Sequence, residues 1–253
     1  MTNDDTAAER VEDPTRALKL LWGVDEPNSS RGPRPGLSRE RVVQAAIEVA
    51  EIAGVNGLSM RRVAQHLKVG TASLYTYVPG KPELLALMLD AVVGQGPLPH
   101  TLPGGWRERL EAVARSDWQG FRRSPWLLRL ASERPLPGPN LLAWFDSALY
   151  VLEGTGLTRA ESLTVIESLD GLVRGMARNA VDAASGEGPG DRAQAWRVAR
   201  DVFLEEYVDF SRYPRFAEAA GAATPPGPDE IFEFGLRRML DGVEALIRER
   251  SGG

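Results

Sequence analysis

Apolar residues recur at three- and four-residue steps along most of this 253-residue chain, and strict apolar–polar alternation is scarce. The first spacing marks helices with one buried face, whereas the second would mark half-buried strands, so the pattern predicts an all-α protein. Helices are expected over about 38–53, 59–67 and 71–78, with another starting near 81. Beyond a Pro-rich connector, further helices are expected over about 104–122, 124–133, 139–154, 158–183, 192–210 and 227–250. A shorter cluster, Leu18, Leu20, Leu21 and Trp22, predicts a small helix or docking segment.

Start and stop signals sharpen the first part of the chain. Ser38 is placed to cap a helix whose apolar face is Val43, Ala46, Ile47 and Ala50, and Gly54 to end it with a positive φ. Asn56-Gly57 makes a turn. Ser59 is placed to cap a second helix carrying Val63, Ala64 and Leu67 on one side. Lys68-Val69-Gly70 leaves room only for a tight turn, with Gly70 expected to take any unusual backbone angle. Thr71 is expected to cap a third, short helix that Pro79-Gly80 stops. Leu74 and Val78 would face in, and Thr71, Ala72, Ser73, Tyr75 and Thr76 out. Two short helices about a three-residue turn, the second with a small, hydroxylated face, form a helix-turn-helix suited to a DNA major groove. Residues 59–81 alone would equally fit any helical hairpin. The flanking helices narrow the choice, the downstream one being apolar at Leu84, Leu85, Leu87, Met88 and Val92.

Several spaced motifs then agree with one family. Ala45-Ala46-Ile47 to Gly54, Gly57-Leu58-Ser59-Met60-Arg61-Arg62-Val63-Ala64, Val69-Gly70 to Leu74-Tyr75-Thr76-Tyr77-Val78, and Lys81 with Leu84-Leu85 closely resemble the DNA-binding head of the tetracycline-repressor (TetR) family. Lys68 departs from the commoner glycine of that turn. Polar, acidic and Pro/Gly-rich composition predicts a flexible arm over 1–36, while the resemblance implies a three-helix DNA-binding domain over 37–95 and a helical ligand-binding and dimerisation domain over 96–253. It implies that Thr71, Ser73 and Tyr75 hydrogen-bond phosphates or base edges, and that Ala72 and Thr76 offer methyl groups to thymine. Tyr77 would reach the flanking backbone or lie in the core. Lys81, at a helix start, would meet a phosphate, and Arg61 a phosphate or a guanine edge. Arg62 fits a solvent-facing or intramolecular role better. In the Pro/Gly-rich strip before the head, Arg31 and Arg34 would either enter the minor groove or serve a soluble linker.

The remainder of the chain is less diagnostic. Its helix layout resembles TetR-like regulatory domains, with weak phrases at Ser168–Leu172 and Asp209–Pro214. Ile166, Leu169, Val173, Met176 and Ala180 step by three and four, as do Phe232, Leu236, Met239, Val243 and Leu246. The family implies that these two helices form a four-helix homodimer interface. Spacing alone would equally allow both stripes to be the chain's own core. Trp106, Trp118, Phe121, Trp126, Trp144, Phe145 and Tyr150 concentrate within 106–150, offering either core or the wall of a small-molecule cavity. Asp146, Asp170, Arg174 and Asn179 would supply polar specificity there, although Asp170 and Arg174 also have the spacing of an intrahelical ion pair. Residues 184–191 form a glycine-rich break, either a flap or an inert connector.

Charge and composition add bounds. The net charge of −5 is unevenly divided: residues 31–92 carry eight Lys/Arg against five acids, and residues 1–30 carry three against seven. Positive charge therefore collects where phosphate would be met. The absence of cysteine excludes disulfides and thiol chemistry. No apolar run is long enough for a membrane span, and a cytoplasmic location is expected. No nucleotide-binding loop, nucleophile elbow or zinc-type His pair occurs, so no enzyme, cofactor or metal is expected. The expected function is a repressor that binds a palindromic operator as a homodimer and is released by a small-molecule effector. The alternative is a DNA-binding protein without an effector, controlled by a protein partner or acting in chromosome organisation.

Overall fold

The structure is a computed structural model, and it describes residues 14–24, 37–132, 135–186, 191–222 and 226–251. These residues form twelve α-helices: α1 (Pro14–Leu21), α2 (Arg39–Gly57), α3 (Met60–His66), α4 (Thr71–Leu74), α5 (Lys81–Val93), α6 (Trp106–Arg123), α7 (Trp126–Ser132), α8 (Pro139–Val151), α9 (Arg159–Gly186), α10 (Asp191–Tyr207), α11 (Pro214–Ala222) and α12 (Pro228–Ser251). Short 3-10 turns lie at Pro99–Thr101 and Phe210–Arg212. No strand occurs among the described residues. The chain divides into two compact units, one running to Val113 and resuming over Arg123–Thr155, the other holding Ala114–Arg122 and Gly156 onward.

In the first unit, α2, α3 and α4 pack in sequence, and α5 lies against α1, α2, α7 and α8. Ser38 caps α2 by accepting from the Arg41 N–H at 3.2 Å, and Ser59 caps α3 by accepting from the Arg62 N–H at 3.3 Å. Both hydroxyls satisfy first-turn donors that would otherwise lack partners. Gly54 takes φ +65° and kinks α2. Val42, Ala46, Val63, Leu74, Val78, Leu84 and Met88 form a fully enclosed core. Burying an aliphatic side chain contributes about 1.5–3 kcal/mol, which is how helices this short are held.

Two features of the turn differ from expectation. Thr71 is the first helical residue of α4 rather than its cap; Gly70 holds the cap position, with ordinary angles of −71° and 139°. The positive φ belongs to Lys68, at +57°. Its N–H reaches the Gln65 carbonyl at 3.1 Å, and the Val69 N–H reaches the Ala64 carbonyl at 3.0 Å. That pair of bonds is a Schellman closure of α3, and it demands a left-handed residue at position 68.

The N-terminal segment is anchored in the same unit. Ala17 is buried, the Trp22 indole N–H donates to the Pro137 carbonyl at 2.9 Å, and Arg39 Nη1 donates to the Leu20 carbonyl at 3.2 Å.

In the second unit α9 packs on α12. Ile166, Leu169, Val173, Phe232, Leu236 and Val243, expected at a dimer face, are buried here within the single chain. Both stripes serve the intrachain seam; Met176, Met239 and Leu246 are half-buried. Gly235 permits the close approach, since a Cβ there would lie 2.6 Å from Met176 Cε. Thr158 and Glu161 form a capping box at the start of α9, and Arg250 Nη2 adds a 2.5 Å bond to Glu161. The segment expected as one helix over 192–210 stops at Tyr207, and α11 follows unforeseen.

Candidate nucleic-acid interface and regulatory residues

The outer side of the helix-turn-helix is built by burying its other side. Leu74 and Val78 have no exposed surface, so they fix the rotation of α4 and of the turn that follows. Ala72 and Thr76 are then exposed, Tyr75 is 51% exposed, and Thr71, Ser73 and Tyr77 are half-buried at the rim. Arg61 is exposed at the start of α3. Lys81 is half-buried in the first turn of α5, whose cap residue Gly80 supplies no side-chain hydrogen bond. Arg62 turns back to donate to the Gly57 carbonyl at 2.8 Å. His66 Nε2 lies 2.7 Å from Glu48 Oε2, and its hydrogen bond holds the Glu48 carboxyl below its ordinary range. Arg31 and Arg34 lie outside the described residues, as do residues 187–190 of the 184–191 break.

The residues expected to meet a small molecule fall in both units. In the first, Trp126 is 5% exposed, and its indole N–H is buried with no hydrogen-bond partner among the described residues. Trp144 and Phe145 are half-buried and meet edge to face, ring centroids 5.3 Å apart. Asp146 is exposed. Trp106 is half-buried; Tyr150 is exposed, its ring against His100, whose Nδ1 lies 2.7 Å from Ser147 Oγ.

In the second unit, Trp118 stacks on Phe232 at 4.5 Å and donates to Asp229 Oδ1 at 2.8 Å. Together with Arg122 this bond lowers the Asp229 pKa. Arg115 clasps Glu233 through two bonds of 2.7 and 3.0 Å. Trp118 therefore has its ring and its donor engaged by α12. Phe121 is half-buried, and Asn179 is exposed.

Asp170 and Arg174 form an ion pair at 2.6 Å, both half-buried. Burial pushes the Asp170 carboxyl above its ordinary range, with Arg174 pulling the other way. Sequence reasoning missed Asp117, whose carboxyl is pushed up to about 7 by burial and secondarily by the Asp170 charge. The available signal was an acid on the apolar stripe of α6, between Val113, Ala114 and Phe121.

Comparison with known proteins decides the family. Residues 42–88 match the family described as bacterial regulatory proteins, tetR family, and residues 98–247 match the tetracyclin repressor-like C-terminal domain. The chain belongs to the TetR family of transcriptional regulators. This TetR-family regulator is 43% identical over 244 residues to the HTH-type transcriptional repressor DrrR1 of Streptomyces coeruleorubidus, spanning 95% of this chain and 89% of that protein. Among solved structures it resembles apo ActR of Streptomyces coelicolor, at 29% identity and a TM-score of 0.70, over 86% of this chain and 99% of the other. ActR in complex with actinorhodin matches equally, at 29% identity and 0.70, over 84% and 97%. The family is one of regulators, not enzymes. Among the described residues no helix is long and apolar enough to cross a membrane, and no group of three or more His, Asp or Glu side chains is placed to hold a metal ion.

Proposed function

We propose that this TetR-family regulator is a homodimeric repressor that binds palindromic operator DNA through α4 and is released by a small-molecule effector. The observation that carries the reading is the rotation of α4. Leu74 and Val78 are sealed inward, leaving Thr71, Ala72, Ser73, Tyr75 and Thr76 on the outer side and rim, between Arg61 and Lys81. Small hydroxylated side chains reach base edges, and the two cations meet phosphates. Tyr77 contacts the flanking backbone. One α4 reads few bases; a two-fold pair about 34 Å apart reads a palindrome.

The dimer uses the open sides of α9 and α12. Gly171 and Gly175 are exposed with free space above them, and Ile231 and Phe234 are exposed on α12. The effector draws on the second unit, where Asp117 lies within charge range of Asp170 and Asp170 pairs with Arg174. The ligand-bound state of ActR, a relative at 29% identity, supports a ligand for this chain too.

The test begins by selecting duplexes from a random pool with the full-length protein. A palindrome is expected to enrich. Tyr75→Ala should weaken binding to all sequences, and Lys81→Ala should lower the slope of log affinity against log salt by about 1. An unchanged slope removes Lys81 from the phosphate contacts, and failure to enrich any duplex rejects the operator reading. Actinorhodin serves as the first effector probe, with release of bound duplex as the readout.

A further inference from the structure

The last turn of α5 carries a buried acid that the DNA-reading surface does not use. Asp90 Oδ1 accepts the Leu141 backbone N–H at 3.0 Å. Its Oδ2 accepts from Asn140 Nδ2 at 3.1 Å and the Asn140 backbone N–H at 3.4 Å, and its own carbonyl accepts from Asn140 Nδ2 at 3.2 Å. The carboxylate thus occupies the start of α8, where unpaired N–H groups and the helix dipole favour an anion. Gly138, the residue before α8, offers no side-chain cap of its own.

Both sides of the joint are cleared for close approach. A Cβ on Gly138 would fall 2.3 Å from Asp90 Oδ1, and one on Gly94 would fall 2.7 Å from the Asn140 amide. Neither position can take a side chain without displacing the Asp90 or Asn140 side chain from the joint.

The opposite end of α5 begins at Lys81, three residues after Val78. We propose that Asp90 is a positioning residue for operator recognition: by pinning the C-terminal turn of α5 to α8, it sets where α4 sits and hence which half-site spacing the dimer accepts. The proposal rests on the operator reading above. Geometry sets the scale. Thirteen helical residues span about 20 Å, so a tilt of about 6° at the pinned end moves Lys81 by about 2 Å. Two subunits moving oppositely would shift the α4 pair by about 4 Å, more than the roughly 3.4 Å rise of one base pair. Other ties keep α2 joined to the segment around α7 when the pin is lost: Ser124 Oγ donates to Glu51 Oε1 at 2.7 Å, and Arg129 donates to Asn56 Oδ1. Loss of Asp90 should therefore loosen α5 without unfolding α2 or α7.

The experiment uses full-length protein and the palindrome selected from the pool, with its spacer unchanged, lengthened by one base pair or shortened by one. Wild type should favour the selected spacer. Asp90→Ala, and more mildly Asn140→Ala, should cut that preference by at least about fivefold, the off-register spacers losing less affinity than the selected one. Loss of general stability would instead lower binding to all three spacers in proportion. That result, or an unchanged preference in both variants, overturns the proposal and leaves the operator reading standing. If Asp90→Ala does not fold, the exposed Asn140→Ala variant decides by the same ratio. If wild type enriches no duplex, both the operator reading and this proposal fail.

Discussion

Asp117 follows Ala114 by three residues and precedes Phe121 by four, which sets an acid on the apolar side of α6. A carboxyl there keeps its proton because burial disfavours the anion, and the neighbouring Asp170 adds repulsion. Its value near 7 stands well above the ordinary 3.8, so between those pH values the folded chain binds a proton that the unfolded chain has released. Stability from this group is therefore fullest below about 4 and declines as pH rises towards 7. Asp117→Asn, which mimics the protonated acid, should raise the melting temperature more at pH 8 than at pH 5. Equal gains at the two pH values would show that Asp117 does not titrate in this range. The residue was legible only in part: its stripe position is plain in the sequence, but Asp170 and Arg174, which share its surroundings, lie more than fifty positions away.

Among the elements, those with local signals were the easiest to read. Ser38 and Ser59 cap α2 and α3 where the sequence placed them, because a cap needs only a hydroxyl and the next turn. The turn between α3 and α4 was harder. Gly70 drew attention as the permissive residue, yet the left-handed angle falls on Lys68, where the Ala64 and Gln65 carbonyls close α3. A non-glycine residue in that region costs about 1–2 kcal/mol, part of which glycine would return as chain entropy. Lys68→Gly is expected to stabilise the protein by about 0.5–1 kcal/mol, with Lys68→Ala giving no such gain; denaturant midpoints with unchanged slopes would check both. The α9 and α12 stripes show a different limit. Three-and-four spacing identifies a packed face but not whose helix packs on it, and here each stripe faces its own chain. The α11 helix went unread because it is short, small-residue-rich and lies among exposed aromatics such as Tyr213 and Phe216.

For the whole molecule, the all-α class was written in the period of the apolar residues, and the head was written in its motifs. The grouping of α7 and α8 with the head in one compact unit was not, since it depends on long-range bonds such as those of Asp90 and Glu51. The second unit leaves much apolar surface uncovered: Trp196, Phe203 and Tyr207 on α10, and Ile231 and Phe234 on α12. Surface of that kind marks an interaction site, in keeping with the proposed homodimer. Phe234→Glu should therefore shift the sedimenting species from dimer towards monomer at micromolar concentration, and weaken binding to a full palindrome. Dimerisation that survives this change and a Gly175→Arg substitution would move the interface elsewhere.

The bond from Arg250 to Glu161 gives the far end of the chain a role out of proportion to its position. It ties the last turn of α12 to the first turn of α9, and it adds to the Thr158 backbone hydrogen bond in holding the Glu161 carboxyl down to about 2. Trimming the tail before residue 250, or fusing a rigid tag directly onto it, would disturb the opening of a 28-residue helix and not merely remove a loose end. Purification handles and reporter fusions are better separated from that arginine by a spacer.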